Sequence, residues 1–575
     1  MNGTVDDRPG PSRIGIGCAL LALLVIALAV RANFVVDWFW QHPAEAHHTD
    51  EKFLPYEALA LWEGVTPREL GWPASTLRVL LCGCYAIDLA ATHPELHTRG
   101  GLRPAAIMDA VVGYTEEAVD DPSRLYAIGR WVSVIIGTLQ VLFAYWAVRR
   151  WLSPPTGLLA ALMCALAPIA VEYSQYVLAD MMGVLFVTWL MGLLAVKPED
   201  TPLRPTFIGA LLGLAVASKY HFSLWLVPAL LAVWMAPHTR SLGGRFRDTI
   251  KLGLAATAVY LMLVPWAWTN PVVVAKEFLA TVFAKMEPIN ARPVHPLANL
   301  VLIFRVMGLL VVVGLVPGLL VTWHRLGRRS LPILAVLGLG VLLIARAGDV
   351  YDRYGLLFFP AAVLVAAAGY AGLLASPQPI LRFAGVAALG AALAVTGWQL
   401  AEAQRHIGGV ESHAQAVAWL RENLRPGDRI AVDSLNPQPL PRTPEQLTAL
   451  IAESIGPDAY ARKMQSNGYS ANPAEPMRQA VLGDELFRAH WLQRERAMRQ
   501  PGEGYHVTLH SNDVLFNCIS TAEAIAQFKQ GLRERDKGFD ALLLIKPADL
   551  GVEPVKVFRG GAAPPLYVYV RPKAE

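Results

Sequence analysis

Charge is scarce along this chain: acidic and basic residues together make up 17% of the 575 positions, whereas 54% are hydrophobic. Soluble domains carry about 25% charged residues, and a large soluble helical protein needs a polar face on most of its helices. Those faces are absent and mean hydropathy is +0.38, so something other than water solvates most of this sequence. Cysteine is sparse too. Cys18, Cys82, Cys84, Cys164 and Cys518 show no metal-ligand spacing, and Cys82 and Cys84 flank one glycine, a poor geometry for a disulfide. The sequence contains neither a Gly-rich phosphate loop nor a dinucleotide fingerprint, so no nucleotide-sugar site is expected. The net charge of +4 gives no sign of a nucleic-acid partner.

What is abundant is apolar sequence in blocks. Charge-free runs cover Ile14–Val30, Val132–Val148, Thr156–Val171, Met181–Val196, Phe222–Pro237, Leu252–Ala275, Val306–Trp323, Ser330–Ala345, Gly355–Leu381 and Phe383–Ala401. A spanning helix needs about 20 apolar residues, and several runs reach that length only with their flanks. Adding the shorter block Pro205–Ser218 predicts about eleven transmembrane helices. The first is expected to be retained, because the polar Met1–Arg13 segment is followed by no small-residue cleavage site.

Basic residues collect in cytoplasmic loops. With the first span running outward, alternate loops hold Arg149 and Arg150; Lys197 and Arg204; Arg240, Arg245, Arg247 and Lys251; Arg325, Arg328 and Arg329; and Arg382. The opposite loops hold Glu172–Asp180 without a basic residue, a turn at Lys219, and Arg346–Arg353. This asymmetry predicts an integral plasma-membrane protein with a cytoplasmic N-terminus. It also requires Trp72–Ala91, which contains Arg78 and Asp88, to be an amphipathic or shallow helix within a long outer loop, Asp37–Leu125. Residues 1–401 then form the membrane domain. Glu402–Glu575 forms an extracytoplasmic α/β domain with short strands at Arg429–Val432, Ala541–Ile545 and Leu566–Val570, helical spacing over Ala414–Asn423, and a proline-rich loop from Pro437 to Pro444.

Ionisable groups near membrane depth tend to mark function. Asp50 and Glu51, in the stretch His47–Phe53, could deprotonate an acceptor; a solvated loop of mixed charge is the plainer alternative. Asp180 falls on the same predicted side and could orient the acceptor, hold a base in place or bind a divalent ion, and it also suits the N-cap of the following helix. Lys219, Arg130 and Arg353 face outward and suit a lipid phosphate, or else anchor to headgroups. Tyr351 and Tyr354 fit an interfacial aromatic belt equally well. His42, His47 and His48 lie near Asp50 and are the one group that could ligate zinc, although loop histidines are more often simply polar.

In their order these motifs resemble the GT-C membrane glycosyltransferases, in the branch of protein O-mannosyltransferases and aminoarabinose transferases. The resemblance rests on the acidic pair Asp50–Glu51, the step Gly71–Ser75, Arg130 in a segment ending at Arg149–Arg150, and Gln175–Asp180. It continues through Gly213–Tyr220, Thr269–Pro271 and Arg353–Pro360, over roughly Ile14–Leu374. Departures are Thr49, where proline often precedes the acidic pair, and the absence of a lysine-proline-proline step. The resemblance implies transfer of a hexosyl or pentosyl group from a polyprenyl-phosphate carrier to an extracytoplasmic glycan, lipid or protein. Asp50 would be the general base and Asp180 its orienter. Arg353, Lys219 and Arg130 would stabilise the departing phosphate, with no required cofactor and a divalent metal as the variant. The rival reading is a transporter or lipid flippase, which should show internal repeats; none is visible.

Overall fold

The computed structural model describes residues 13–37, 51, 54–63, 74–97, 104–120, 123–195, 205–235, 241–269, 296–346 and 352–407, with scattered positions between 271 and 279. Toward the C-terminus it describes 419–433, 506–511, 519–534, 539–544, 552–558 and 566–571, with isolated positions near 443 and 548. The chain divides into two units, Met1–Trp62 with Glu69–Ala401, and Glu63–Arg68 with Glu402–Glu575.

The first unit is helical. Its helices are α1 (Arg13–Asp37), α2 (Leu54–Ala60), α3 (Ser75–Thr92), α4 (Pro104–Asp120), α5 (Ser123–Trp151), α6 (Pro154–Leu166), α7 (Pro168–Glu172), α8 (Asp180–Leu193) and α9 (Pro205–Ser218). They continue as α10 (Leu226–Met235), α11 (Leu242–Leu263), α12 (Trp266–Thr269), α13 (Pro296–Met307), α14 (Leu309–Leu326), α15 (Leu331–Arg346), α16 (Phe359–Leu374) and α17 (Pro379–Ile407). Among the described residues, five segments suffice by length and composition to cross a membrane: Ile14–Asn33, Ser75–Thr92, Ser123–Trp151, Leu309–Arg346 and Pro379–Glu402. The other apolar helices are shorter.

The eleven apolar blocks are therefore not eleven unbroken helices. The block Thr156–Val171 breaks at Pro168, whose ring prevents the preceding residue from staying helical. The block Gly355–Leu381 divides into a 3-10 turn, α16 and the start of α17. The stretch expected to lie shallow, Trp72–Ala91, forms α3 and meets the span criterion. Its charges are locally neutralised. Buried Arg78 donates to Glu57 of α2 at 2.8 Å, and Asp88 pairs with Arg124 at 2.7 Å and accepts from Tyr114 of α4 at 2.8 Å.

Small residues set the closest helix crossings, because without a side chain the backbones can approach and gain dispersion contacts. A Cβ at Gly318 of α14 would overlap the Val365 carbonyl of α16, and one at Gly369 of α16 would overlap the Gly314 carbonyl. Gly209 and Gly213 of α9 play the same part against α11, where a Cβ at Gly213 would stand 2.5 Å from the Ala256 carbonyl.

The second unit carries a six-stranded sheet of β1 (Arg429–Asp433), β2 (His506–Ser511), β3 (Ile519–Ser520), β4 (Ala541–Leu544), β5 (Lys556–Phe558) and β6 (Leu566–Val570). Their order is β3-β2-β1-β4-β6-β5. The first four are parallel, with Ala431 opposite Thr508 and Leu542, and β6 runs antiparallel to both β4 and β5. Helix α18 (Thr521–Arg533) supplies the β3–β4 crossover, and its Ala524 and Phe528 share a core with Leu542, Leu544 and Tyr569. A parallel order needs such crossovers, and Ala541, Leu542 and Leu544 of β4 are buried.

Candidate active site

The site begins on α5. Arg130 is fully buried there, a position an arginine holds only with its charge paired. Its guanidinium forks onto Glu51, Nε to Oε1 at 2.9 Å and Nη2 to Oε2 at 3.1 Å. Glu51 is fully buried as well. The Tyr126 ring, one turn earlier on α5, lies 5.1 Å from the guanidinium carbon. A third donor comes from the backbone: the Val177 N–H reaches Glu51 Oε1 at 3.1 Å. That approach depends on Gly129, where a Cβ would stand 2.8 Å from a Val177 methyl.

Three residues on, Asp180 opens α8 and pairs with Lys219 at 2.5 Å, both side chains being nearly buried. Lys219 sits where α9 ends, in extended backbone before the 3-10 turn Tyr220–Trp225. The hydroxyls of Ser218 and Thr76 meet at 2.5 Å and tie that end of α9 to α3. Phe222 packs on Gly183 of α8, where any side chain would overlap its ring. The same turn touches the Asp352–Leu357 turn twice: the His221 and Tyr354 rings lie 5.5 Å apart, and Trp225 Nε1 donates to the Leu357 carbonyl at 2.9 Å. Arg353, half-buried, belongs to that second turn.

Five sequence-predicted residues are thus placed. Glu51 pairs with Arg130 and Asp180 with Lys219, while Arg353 is carried on a turn that packs beside Lys219's. Of the three cations expected at a phosphate, Arg130 and Lys219 each hold a carboxylate here. Asp50, His42, His47 and His48 lie outside the described residues. Among the described residues, no three His, Cys, Asp or Glu side chains gather as a metal site. Sequence reasoning missed the Val177 amide, Gly129, the Thr76–Ser218 contact and the His221–Tyr354 stack. A backbone amide and a glycine at a crossing leave no motif, but His221 stands two residues after Lys219 and was open to notice.

Residues 126–268, which contain Arg130, Val177, Asp180 and Lys219, match the family model described as dolichyl-phosphate-mannose-protein mannosyltransferase, a GT-C family. This match and the motifs support a likeness to the GT-C membrane glycosyltransferases. Among solved structures, the chain is similar to ArnT from Cupriavidus metallidurans bound to undecaprenyl phosphate, at 13% identity and a TM-score of 0.45 over 97% of this chain and 98% of that one. It is also similar to the apo oligosaccharyltransferase of Archaeoglobus fulgidus, at 15% identity and a TM-score of 0.44, with 72% of this chain covered. That alignment covers 59% of the archaeal chain, so this chain spans under two thirds of its length. The Saccharomyces cerevisiae protein O-mannosyltransferase Pmt1-Pmt2 complex bound to the sugar donor aligns at 17% identity and a TM-score of 0.33, over 45% of this chain and 35% of that one. No curated protein matches the chain.

Proposed function

We propose that this protein moves a sugar from a polyprenyl-phosphate carrier to an acceptor on the extracytoplasmic side of the membrane, with inversion at the anomeric carbon. The observation that carries the reading is the convergence of two buried ion pairs, Glu51–Arg130 and Asp180–Lys219, joined through the Val177 amide within the segment that matches the mannosyltransferase family.

In this scheme Asp50 takes the proton from the acceptor hydroxyl or amine as that group attacks the anomeric carbon. The bond from that carbon to the phosphate oxygen breaks, and polyprenyl phosphate leaves with the electron pair. Glu51 is the anchor, holding the acidic stretch to α5 and to the backbone before Asp180. Asp180 holds Lys219 extended for the phosphate, with Arg353 beside it and Arg130 behind Glu51. Fixed cations of this kind stabilise developing charge because they need no reorganisation when it appears. The outer loop 37–125, with α3 lying in the outer interface rather than crossing, and the domain 402–575 are assigned to the outside, and the acceptor to a glycan, lipid or protein there.

The test uses the purified chain with radiolabelled polyprenyl-phosphate sugars, beginning with mannose. Release of polyprenyl phosphate coupled to labelling of an acceptor is expected. Movement of intact carrier across a vesicle without release would establish a flippase instead.

A further inference from the structure

Arg31 of α1 is fully buried, yet among the described residues it has no carboxylate partner. Its guanidinium donates to backbone carbonyls only: Nη2 to Cys164 at 2.8 Å, Nη1 to Ala165 at 3.1 Å and Nη1 to Ala27 at 3.2 Å. Cys164 and Ala165 belong to the last turn of α6, where carbonyls lack intrahelical partners and the helix dipole is negative.

The choice of carbonyls is specific. In a continuous helix Cys164 O would receive the N–H of residue 168 and Ala165 O that of residue 169. Residue 168 is proline and has no N–H. Ala167 before it is extended, at φ −60° and ψ 122°, and the chain bends there into α7. Arg31 therefore occupies two of the acceptors that the break leaves open, those of Cys164 and Ala165. Beyond the bend, Ser174 packs on Gly137 of α5, where a Cβ would stand 2.8 Å from Ser174 Oγ and 3.0 Å from Arg31 Nε. Then follow the Val177 amide on Glu51 and the carboxylate of Asp180 on Lys219.

We infer that Arg31 is a positioning residue of the candidate site. It replaces the N–H that Pro168 lacks, fixes the bend between α6 and α7, and thereby sets where Val177 and Asp180 fall. Its effect on transfer rests on the function proposed above.

A disulfide reports the position of the segment without reference to activity. A Cβ at Gly129 would lie 3.5 Å from Val177 Cβ, inside the usual range for a bridge of about 3.5–4.5 Å. In a full-length chain with its natural cysteines replaced by alanine, the pair Gly129→Cys and Val177→Cys should cross-link. Adding Arg31→Met should lower the cross-linked fraction of folded protein by about threefold or more, and Arg31→Lys, which keeps a charged donor, should recover most of it. In the chain with natural cysteines, Arg31→Met should lower kcat for polyprenyl phosphate release from polyprenyl-phosphate mannose by about tenfold or more, with KM nearly unchanged, because a small misplacement of reacting groups is costly. A merely structural Arg31 would lower the unfolding temperature and leave cross-linking and kcat per folded molecule intact, and that result overturns the inference. If Arg31→Met does not fold, Pro168→Ala restores the missing N–H and draws α6 straight into α7. Cross-linking should then fall with Arg31 still present, and unchanged cross-linking overturns the inference equally. Should cross-linking respond as expected while the unsubstituted chain releases no carrier phosphate, the positioning role stands and the transferase reading fails.

Discussion

Glu51 and Asp50 are neighbours in sequence with different work to do. Glu51 is fully buried and committed to Arg130 and the Val177 amide, which hold both of its oxygens in place and suit it to anchoring rather than to proton transfer. Removing one member of a buried pair strands the other charge at a cost of about 3–5 kcal/mol. Glu51→Gln should therefore lower stability by that order, read from thermal unfolding in detergent, and adding Arg130→Met should recover much of it. Asp50→Asn should behave in the opposite way. Unfolding is expected to stay within error of the unsubstituted chain while transfer falls by about 10²–10⁴-fold, the usual contribution of a general base; full activity in that variant would remove Asp50 from the mechanism. Metal removal is argued from the same side chains. With Lys219 and Arg353 assigned to the phosphate, transfer should persist in excess EDTA, and a loss restored by one added divalent ion would place the histidines beside Asp50 in the reaction.

Among the helices, breaks and crossings matter more than the length of the apolar blocks. Gly308 has φ +86° between α13 and α14, a conformation that suits glycine, and a Cβ there would stand 2.7 Å from the Pro168 ring. The α6–α7 break is thus packed on another break. The α14–α16 crossing offers a clean comparison. Gly318→Leu forces a side chain into the Val365 carbonyl and should destabilise by about 1–3 kcal/mol or more. Gly338→Ala on α15 meets nothing within 4 Å and should be neutral or stabilising by up to about 1 kcal/mol. Parallel unfolding curves of the two variants would check both signs, and equal effects would contradict the crossing.

For the whole molecule the deciding property is sidedness. The reading requires Asp50, Asp180, Lys219 and Arg353 to share one face of the membrane and the loop at Arg325–Arg329 to lie on the other. Single cysteines at Ala46 and Arg328, in an otherwise cysteine-free chain, should react differently with an impermeant maleimide on intact cells. Only the Ala46 site should be labelled. Labelling of both or of Arg328 alone would end the assignment. The second unit folds around its own apolar core, and at the N-terminal end of its parallel strands Asp540 joins the Arg571 side chain, while Arg429 N–H donates to Asp540 at 2.7 Å.

The sequence by itself marked the chain as a helical membrane protein with motifs that resemble the GT-C enzymes and singled out Glu51, Arg130, Asp180, Lys219 and Arg353, because burial in lipid strips a sequence of charge and makes the charges that remain conspicuous. It also showed strands at Arg429, Ala541 and Leu566, where short apolar runs follow turns. Pairing was beyond it. That Arg130 takes Glu51, 79 residues away, or that Arg31 meets carbonyls more than 130 residues on, depends on which helix faces pack. Only the tertiary structure decided these partners, because a buried charge is satisfied by whatever polar group the folded chain brings within about 3 Å, and backbone carbonyls and amides carry no signature in the order of residues.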